Sequence, residues 1–278
     1  MIPAEEVNSF FGGHWYLMIP KPIYFSHGNT PSTNLPFEEN DPTYGHVYHL
    51  GSADDVLKFV NQEEGIMWVT HPRTKSSEGY PEEYKDKDFF LSDRFIGGAW
   101  TSLPADLSQP ELCQVRCFGT LDDMSNWAPK RKFLIAEGDT YTSYASYGMY
   151  EQLAVNYVKL DRVPLYNESW SPIVESIRSG NFYGTTGEVL FHNWGVEGKG
   201  AQSFYTADIE YTFPLQFAEL VWSDGTTVNR KTISLTNTTA FGSRSLKIPF
   251  DATGKKWIRL SVWDSAGNGA YVQPIQLK

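Results

Sequence analysis

Gly65-Ile66-Met67-Trp68-Val69-Thr70-His71-Pro72 reads as a buried strand: an unbroken apolar run, opened by a glycine and closed by a proline that cannot donate to a ladder. Just upstream, Ser52 to Val60 reads as a helix, with Ser52 as cap and Asp54 and Asp55 in the first turn, where carboxylates suit the helix dipole. Outward from this pair the same alternation continues. Trp15 to Ile19 and Lys132 to Ala136 are short apolar strands. Trp170 to Arg178 is a helix with Ser171 as its cap, Pro172 at the first position and Gly180 as the stop. Met1-Ile2-Pro3 reads as a strand end. Alternating strand and helix signals favour helices packed on a parallel sheet, so residues 1–186 are predicted to form an α/β domain. Its long polar and aromatic stretches at 21–50, 72–100 and 138–157 are expected to be loops that roof a site.

From about Gly187 the pattern changes to period-two alternation with frequent turn residues. Runs at 207–213, 217–222, 227–235, 245–250, 257–263 and 270–277, with turns at Asp224-Gly225 and Asp264 to Asn268, predict an antiparallel β-sandwich over 187–278. A chain of 278 residues is long enough for these two domains. The net charge of −10 is confined to the first of them: residues 1–186 hold 14 Lys and Arg against 25 Asp and Glu, whereas 187–278 hold 9 against 8. An acidic field repels phosphate backbones and attracts cations, which argues against nucleic acid as a partner and is compatible with a small-molecule substrate and a metal. No run approaches the ~20 apolar residues of a membrane span. Cys113 and Cys117 form neither a disulfide framework nor a zinc-finger pattern. The sequence does not set an oligomeric state.

In α/β sheets ligands gather where strands end, which selects four residues. Glu6 follows the first strand end, His14 precedes Trp15 after the flexible Gly12-Gly13, His71 ends the strand 66–70, and Asp139 follows the strand 132–136. Two carboxylates and two imidazoles are a competent ligand set for zinc, manganese or iron. Taken singly, a Glu after a strand is more often a helix cap or solvated and a His more often a satisfied structural group; their shared position is what points to a metal. Arg73 and Lys75, in His71-Pro72-Arg73-Thr74-Lys75, are candidates to hold an anionic substrate or stabilise developing charge, with salt-bridged roles as the alternative. His46 and His49 are weaker ligand candidates. No phosphate-binding glycine loop, nucleophile elbow or His-Glu-x-x-His helix is present, so nucleophilic serine chemistry has little support.

These residues carry a family resemblance. Pro3 to Glu6, Gly13-His14, Thr70-His71-Pro72 and Glu137-Gly138-Asp139, in this order, resemble the later metal motifs of the PHP (polymerase and histidinol phosphatase) domain superfamily. Gly79-Tyr80-Pro81, Asp122 to Trp127, Asn156-Tyr157-Val158, Ser179 to Phe182, Thr185 to Leu190, and Trp263 to Tyr271 with Gln273-Pro274 are similar to its CehA/McbA-like branch of bacterial metallohydrolases. The resemblance implies a distorted β/α barrel followed by the β-sandwich. It also implies hydrolysis of a phosphoester, ester or carbamate by a metal-activated water, with Glu6, His14, His71 and Asp139 as ligands. The opening His-x-His motif of the family is absent. The chain therefore looks like the C-terminal two-thirds of such a protein, a fragment with only part of the barrel, and a secreted or periplasmic parent is compatible with it. Tyr141 stands where many relatives carry a histidine. The rival expectation is a degenerate, non-catalytic protein that binds carbohydrate or another ligand through its aromatic loops and sandwich.

Overall fold

The computed structural model describes residues 4–8, 14–26, 35–49, 51–73, 77–100, 117–127, 131–137 and 154–277. Among them are eighteen strands and four α-helices. The first sheet has five strands, in the order β1 (Ala4–Asn8), β2 (His14–Met18), β6 (Ile66–Thr70), β7 (Phe95–Trp100), β8 (Phe133–Ala136). β1, β2 and β6 pair antiparallel, whereas β6, β7 and β8 are parallel. A small sheet of β3 (Tyr24–Ser26), β5 (Gly45–His49) and β4 (Glu38–Asp41) lies within the stretch expected to be loop at 21–50.

Helices cover both faces of the five-stranded sheet. α1 (Ala53–Gln62) starts at Ser52, whose Oγ accepts from the Asp55 amide while the Asp55 carboxylate accepts from the Ser52 amide, a reciprocal cap. Its Val56, Phe59 and Val60 pack with Trp15, Leu17, Met67 and Val69, and α2 (Asp88–Leu91) adds Phe89 and Phe90 to the same layer. The opposite face, with Trp68, Ile96, Phe133 and Ile135, is covered by Val174 and Ile177 of α4 (Ser171–Arg178) and by Phe182. In that helix Ser171 is the first helical residue, and Trp170 occupies the cap position without a side-chain hydrogen bond.

The remaining strands form two sheets facing one another. One has the order β14 (Val228–Ser234), β13 (Leu215–Ser223), β16 (Trp257–Asp264), β17 (Gly269–Val272), β10 (Phe182–Thr185), β9 (Val155–Val158), with β18 (Ile275–Gln276) also on β16. This sheet draws strands from both sides of residue 186. The other contains β11 (Val189–Glu197), β12 (Ser203–Tyr211) and β15 (Gly242–Phe250). Between them lies a core of Val189, Phe191, Tyr205, Ile209, Leu220 and Leu260. Each such side chain contributes roughly 1.5–3 kcal/mol on burial.

The expected partial β/α barrel is not what the chain forms. Strands far outnumber helices among the described residues, the sheets are open, and no barrel closes. The physical reason is visible at both sides of the five-stranded sheet. β1 and β2 pair as antiparallel neighbours, where a barrel requires parallel strands joined by helices. At the other side the outer edge of β8 meets side chains in place of a further strand. The Gln273 amide donates to the Leu134 carbonyl at 2.8 Å and accepts from its N–H at 3.1 Å. The Asn156 amide does the same for Ala136, at 2.6 and 2.9 Å. Leu134 and Ala136 are alternate residues, those whose backbone polar groups face outward on one edge, so two primary amides satisfy what a neighbouring strand would.

Candidate functional site

β6, β7 and β8 end together, and because β2 runs antiparallel to β6 its first residue lies at that same end. His14 opens β2 and His71 immediately follows β6, so topology brings together two residues far apart in sequence. The Nε2 of His71 lies 3.3 Å from the Nδ1 of His14, with ring centroids 5.1 Å apart and planes at 69°. His71 is buried. Thr70 Oγ1 donates to the His14 carbonyl at 3.2 Å, tying the start of β2 to the end of β6.

The turn after β6 is unusual. His71 has φ +36° and Arg73 has φ +63°, so two residues with Cβ atoms adopt left-handed backbone around Pro72. Such conformations cost of order 1–3 kcal/mol each and persist only where the surroundings enforce them. Enforcement comes from Arg73. Its guanidinium donates to Asp123 Oδ2 at 2.7 Å and to the Glu82 carboxylate, and its backbone N–H donates to Ser77 at 2.9 Å. Burial opposes the charge, but the carboxylates of Asp123 and Glu82 outweigh it and hold the guanidinium's pKa above its ordinary value. Arg73 therefore serves to fix the turn that carries His71.

Of the remaining residues selected from sequence, Glu6 lies in β1 opposite Tyr16, two pairs from His14, and its side chain is not described. Lys75 and Asp139 lie outside the described residues, as does Tyr141. Among the described residues no three His, Cys, Asp or Glu side chains converge as a metal site. His46 and His49 pair with Glu38 and Glu39, at 3.3 and 2.9 Å, on the small sheet. Sequence reasoning passed over Glu137, although the strand-end rule that selects Asp139 applies to it two residues earlier. Its Oε2 accepts from the indole N–H of Trp68 at 2.9 Å, and Trp68 stacks on Tyr16 with centroids 4.8 Å apart. A separate cleft of about 960 Å3, lined by Lys159, Arg162, Glu168 and Asn181, contains none of these residues.

The histidine pair can be tested against a metal by its spacing. A tetrahedral ion with bonds of about 2.0–2.1 Å to nitrogen separates two donors by roughly 3.3–3.4 Å. The observed 3.3 Å matches that edge. The same 3.3 Å is also a hydrogen bond between the two rings, with the donor set by the tautomer. The spacing alone thus suits both a direct ring-to-ring hydrogen bond and one edge of a tetrahedral site. No family model, curated protein or solved structure matches the chain.

Proposed function

We propose that this protein is a metal-dependent hydrolase whose divalent ion, zinc, manganese or iron, is held by His14 and His71 together with the carboxylates of Glu6 and Asp139. The observation that supports this reading best is the 3.3 Å between two imidazole nitrogens at the common end of β2, β6, β7 and β8. When bound there, such an ion would supply an acidified water, with a pKa of about 7 in the case of zinc, and a Lewis acid for the oxygen of the bond to be cleaved. The chain's own part is to fix the donors. His71 is aimed by the left-handed turn that Arg73 clamps, and His14 by the Thr70 hydroxyl on its carbonyl. Trp68 holds Glu137 at the same end of the sheet, a carboxylate suited to accept a proton from water.

Phosphoester, carboxylate ester and carbamate are the substrate classes that this chemistry serves. The test is to strip the protein of metal, reload it with each of the three ions, and assay a model compound of each class. Turnover of at least one class, abolished by chelation and by His14→Ala/His71→Ala, is the expected outcome. Metal-loaded protein that hydrolyses none of them contradicts the hydrolase reading.

A further inference from the structure

The run Asp122 to Trp127 belongs to α3 (Phe118–Trp127), and its side chains divide between two parts of the molecule. Asp122 and Asn126, four residues apart and therefore on one side of the helix, face the sandwich. Asp122 accepts from Arg259 of β16 through both oxygens, at 2.6 and 2.8 Å, and Arg259 is fully buried with its guanidinium 4.6 Å from the Phe118 ring. Asn126 Oδ1 accepts from Ser223 Oγ at 2.7 Å and from the Trp257 indole N–H at 2.8 Å. Asp123 and Met124 face the other way. Asp123 accepts from Arg73 at 2.7 Å, and the Met124 sulfur accepts from the buried Tyr80 hydroxyl at 3.2 Å.

From this division we infer that Asp123 is a positioning residue for the His14–His71 pair, and that α3, locked to the sandwich by Asp122 and Asn126, is the fixed support from which it acts. The turn His71-Pro72-Arg73 has left-handed backbone at both ends and needs an external hold. Glu82 and the Ser77 carbonyl hold Arg73 from its own loop, and Asp123 adds the hold from outside it, on a helix that cannot shift without breaking a buried, doubly hydrogen-bonded ion pair. The sandwich thereby becomes part of the site without contributing a ligand. In its metal consequences the inference rests on the function proposed above; in its consequences for the two rings it does not.

The experiment uses the full chain and the variants Asp123→Asn, which keeps the shape and removes the charge, and Asp123→Glu, which keeps the charge. Three quantities are read: zinc affinity by competition with a chromophoric chelator, the ring-to-ring cross-peaks of His14 and His71 by NMR on metal-free protein, and the urea midpoint. Groups hydrogen-bonded directly to metal ligands are worth about 10–100-fold in affinity, and Asp123, which acts one contact further out through Arg73, is placed at the lower end of that range. Asp123→Asn is expected to lose at least about tenfold in zinc affinity, together with the cross-peaks, at a nearly unchanged urea midpoint, and Asp123→Glu to restore both. Wild-type affinity and intact cross-peaks in Asp123→Asn overturn the inference. So does a loss that only follows a lowered urea midpoint and that Asp123→Glu fails to restore. If the wild type itself takes up no zinc, the metal reading fails and the cross-peaks alone decide the positioning role.

Discussion

β12 and β15 run side by side through nine consecutive pairs without a register shift, from Ser203 with Phe250 to Tyr211 with Gly242. β6 and β7, in the five-stranded sheet, slip register after Met67, and the chain leaves β6 through a left-handed turn. The sandwich has register shifts of its own, between Phe191 and Asn193 in β11 and between Leu215 and Phe217 in β13, and where it meets α3 it keeps a buried cation, Arg259. The five-stranded sheet gathers His14, Thr70, His71 and Glu137 at one end. Uninterrupted pairing such as that of β12 with β15 satisfies the backbone without strain and gives a stiff frame. Irregular backbone at strand ends is where a side chain can be held for chemistry, at a cost in stability that the frame must offset. α3 joins the two.

Variants at Arg259 probe the frame where it meets that helix. Arg259→Ala leaves Asp122 as a buried charge without its main partner, and is expected to lower the unfolding free energy by about 3–5 kcal/mol in urea. The pair Asp122→Leu/Arg259→Met replaces the ions with apolar volume and should cost far less. Equal losses would mean that packing, and not charge pairing, holds α3 to the sandwich.

The next effect in size lies at the edge of β8. Gln273→Ala removes that amide's two hydrogen bonds to Leu134 in a buried setting; the Leu134 carbonyl keeps the Tyr271 hydroxyl at 2.8 Å, but the N–H loses its amide acceptor, so the expected loss is about 1–3 kcal/mol. Urea denaturation of the variant checks this, and wild-type stability would show that the amide is dispensable. Ser52→Ala removes the cap of α1 and should cost about 1 kcal/mol.

Much of this frame was legible in the sequence. Ile66 to Thr70 is a strand because no polar residue interrupts it, and Ser52 with Asp55 announces the start of α1. Asp224-Gly225 marks the β13–β14 turn, where the Asp224 carboxylate accepts from the Thr226 and Thr227 amides. β7 was hidden because Gly97-Gly98 reads as a break. Gly97 is needed there: its φ is +131°, and a Cβ would lie 2.2 Å from the Phe133 carbonyl oxygen of β8. The barrel was an expectation from the family resemblance, and the sequence did not correct it, since nothing local distinguishes an antiparallel β1–β2 pair from strands separated by helices. At the site, His14 and His71 were legible from their position at strand ends. The hold of Asp123 on Arg73 was not, because it joins residues fifty positions apart.

The smallest effect contrasts a surface ion pair with the buried one. The Arg162 guanidinium, aided by the Leu165 N–H, lowers the Glu168 carboxyl from 4.5 to about 2. A depressed acid stabilises the fold above its ordinary pKa, and the contribution fades as pH falls toward 2. Because the pair is fully exposed, solvent screens it. NMR titration of the Glu168 carboxyl should find a midpoint near 2, and Arg162→Gln should return it toward 4.5. A wild-type midpoint already at 4.5 would show that the pair does not hold in solution.

Whether His14 and His71 form one edge of a metal site is open to a single spectroscopic measurement. X-ray absorption on zinc-loaded protein measures this directly, because outer-shell scattering from imidazole rings counts the histidines bound to the ion. Stoichiometric zinc with two imidazoles and oxygen donors completing the shell is expected, with no zinc uptake by His14→Ala/His71→Ala. Zinc bound without imidazole scattering, or equal uptake by wild type and the double variant, would contradict it.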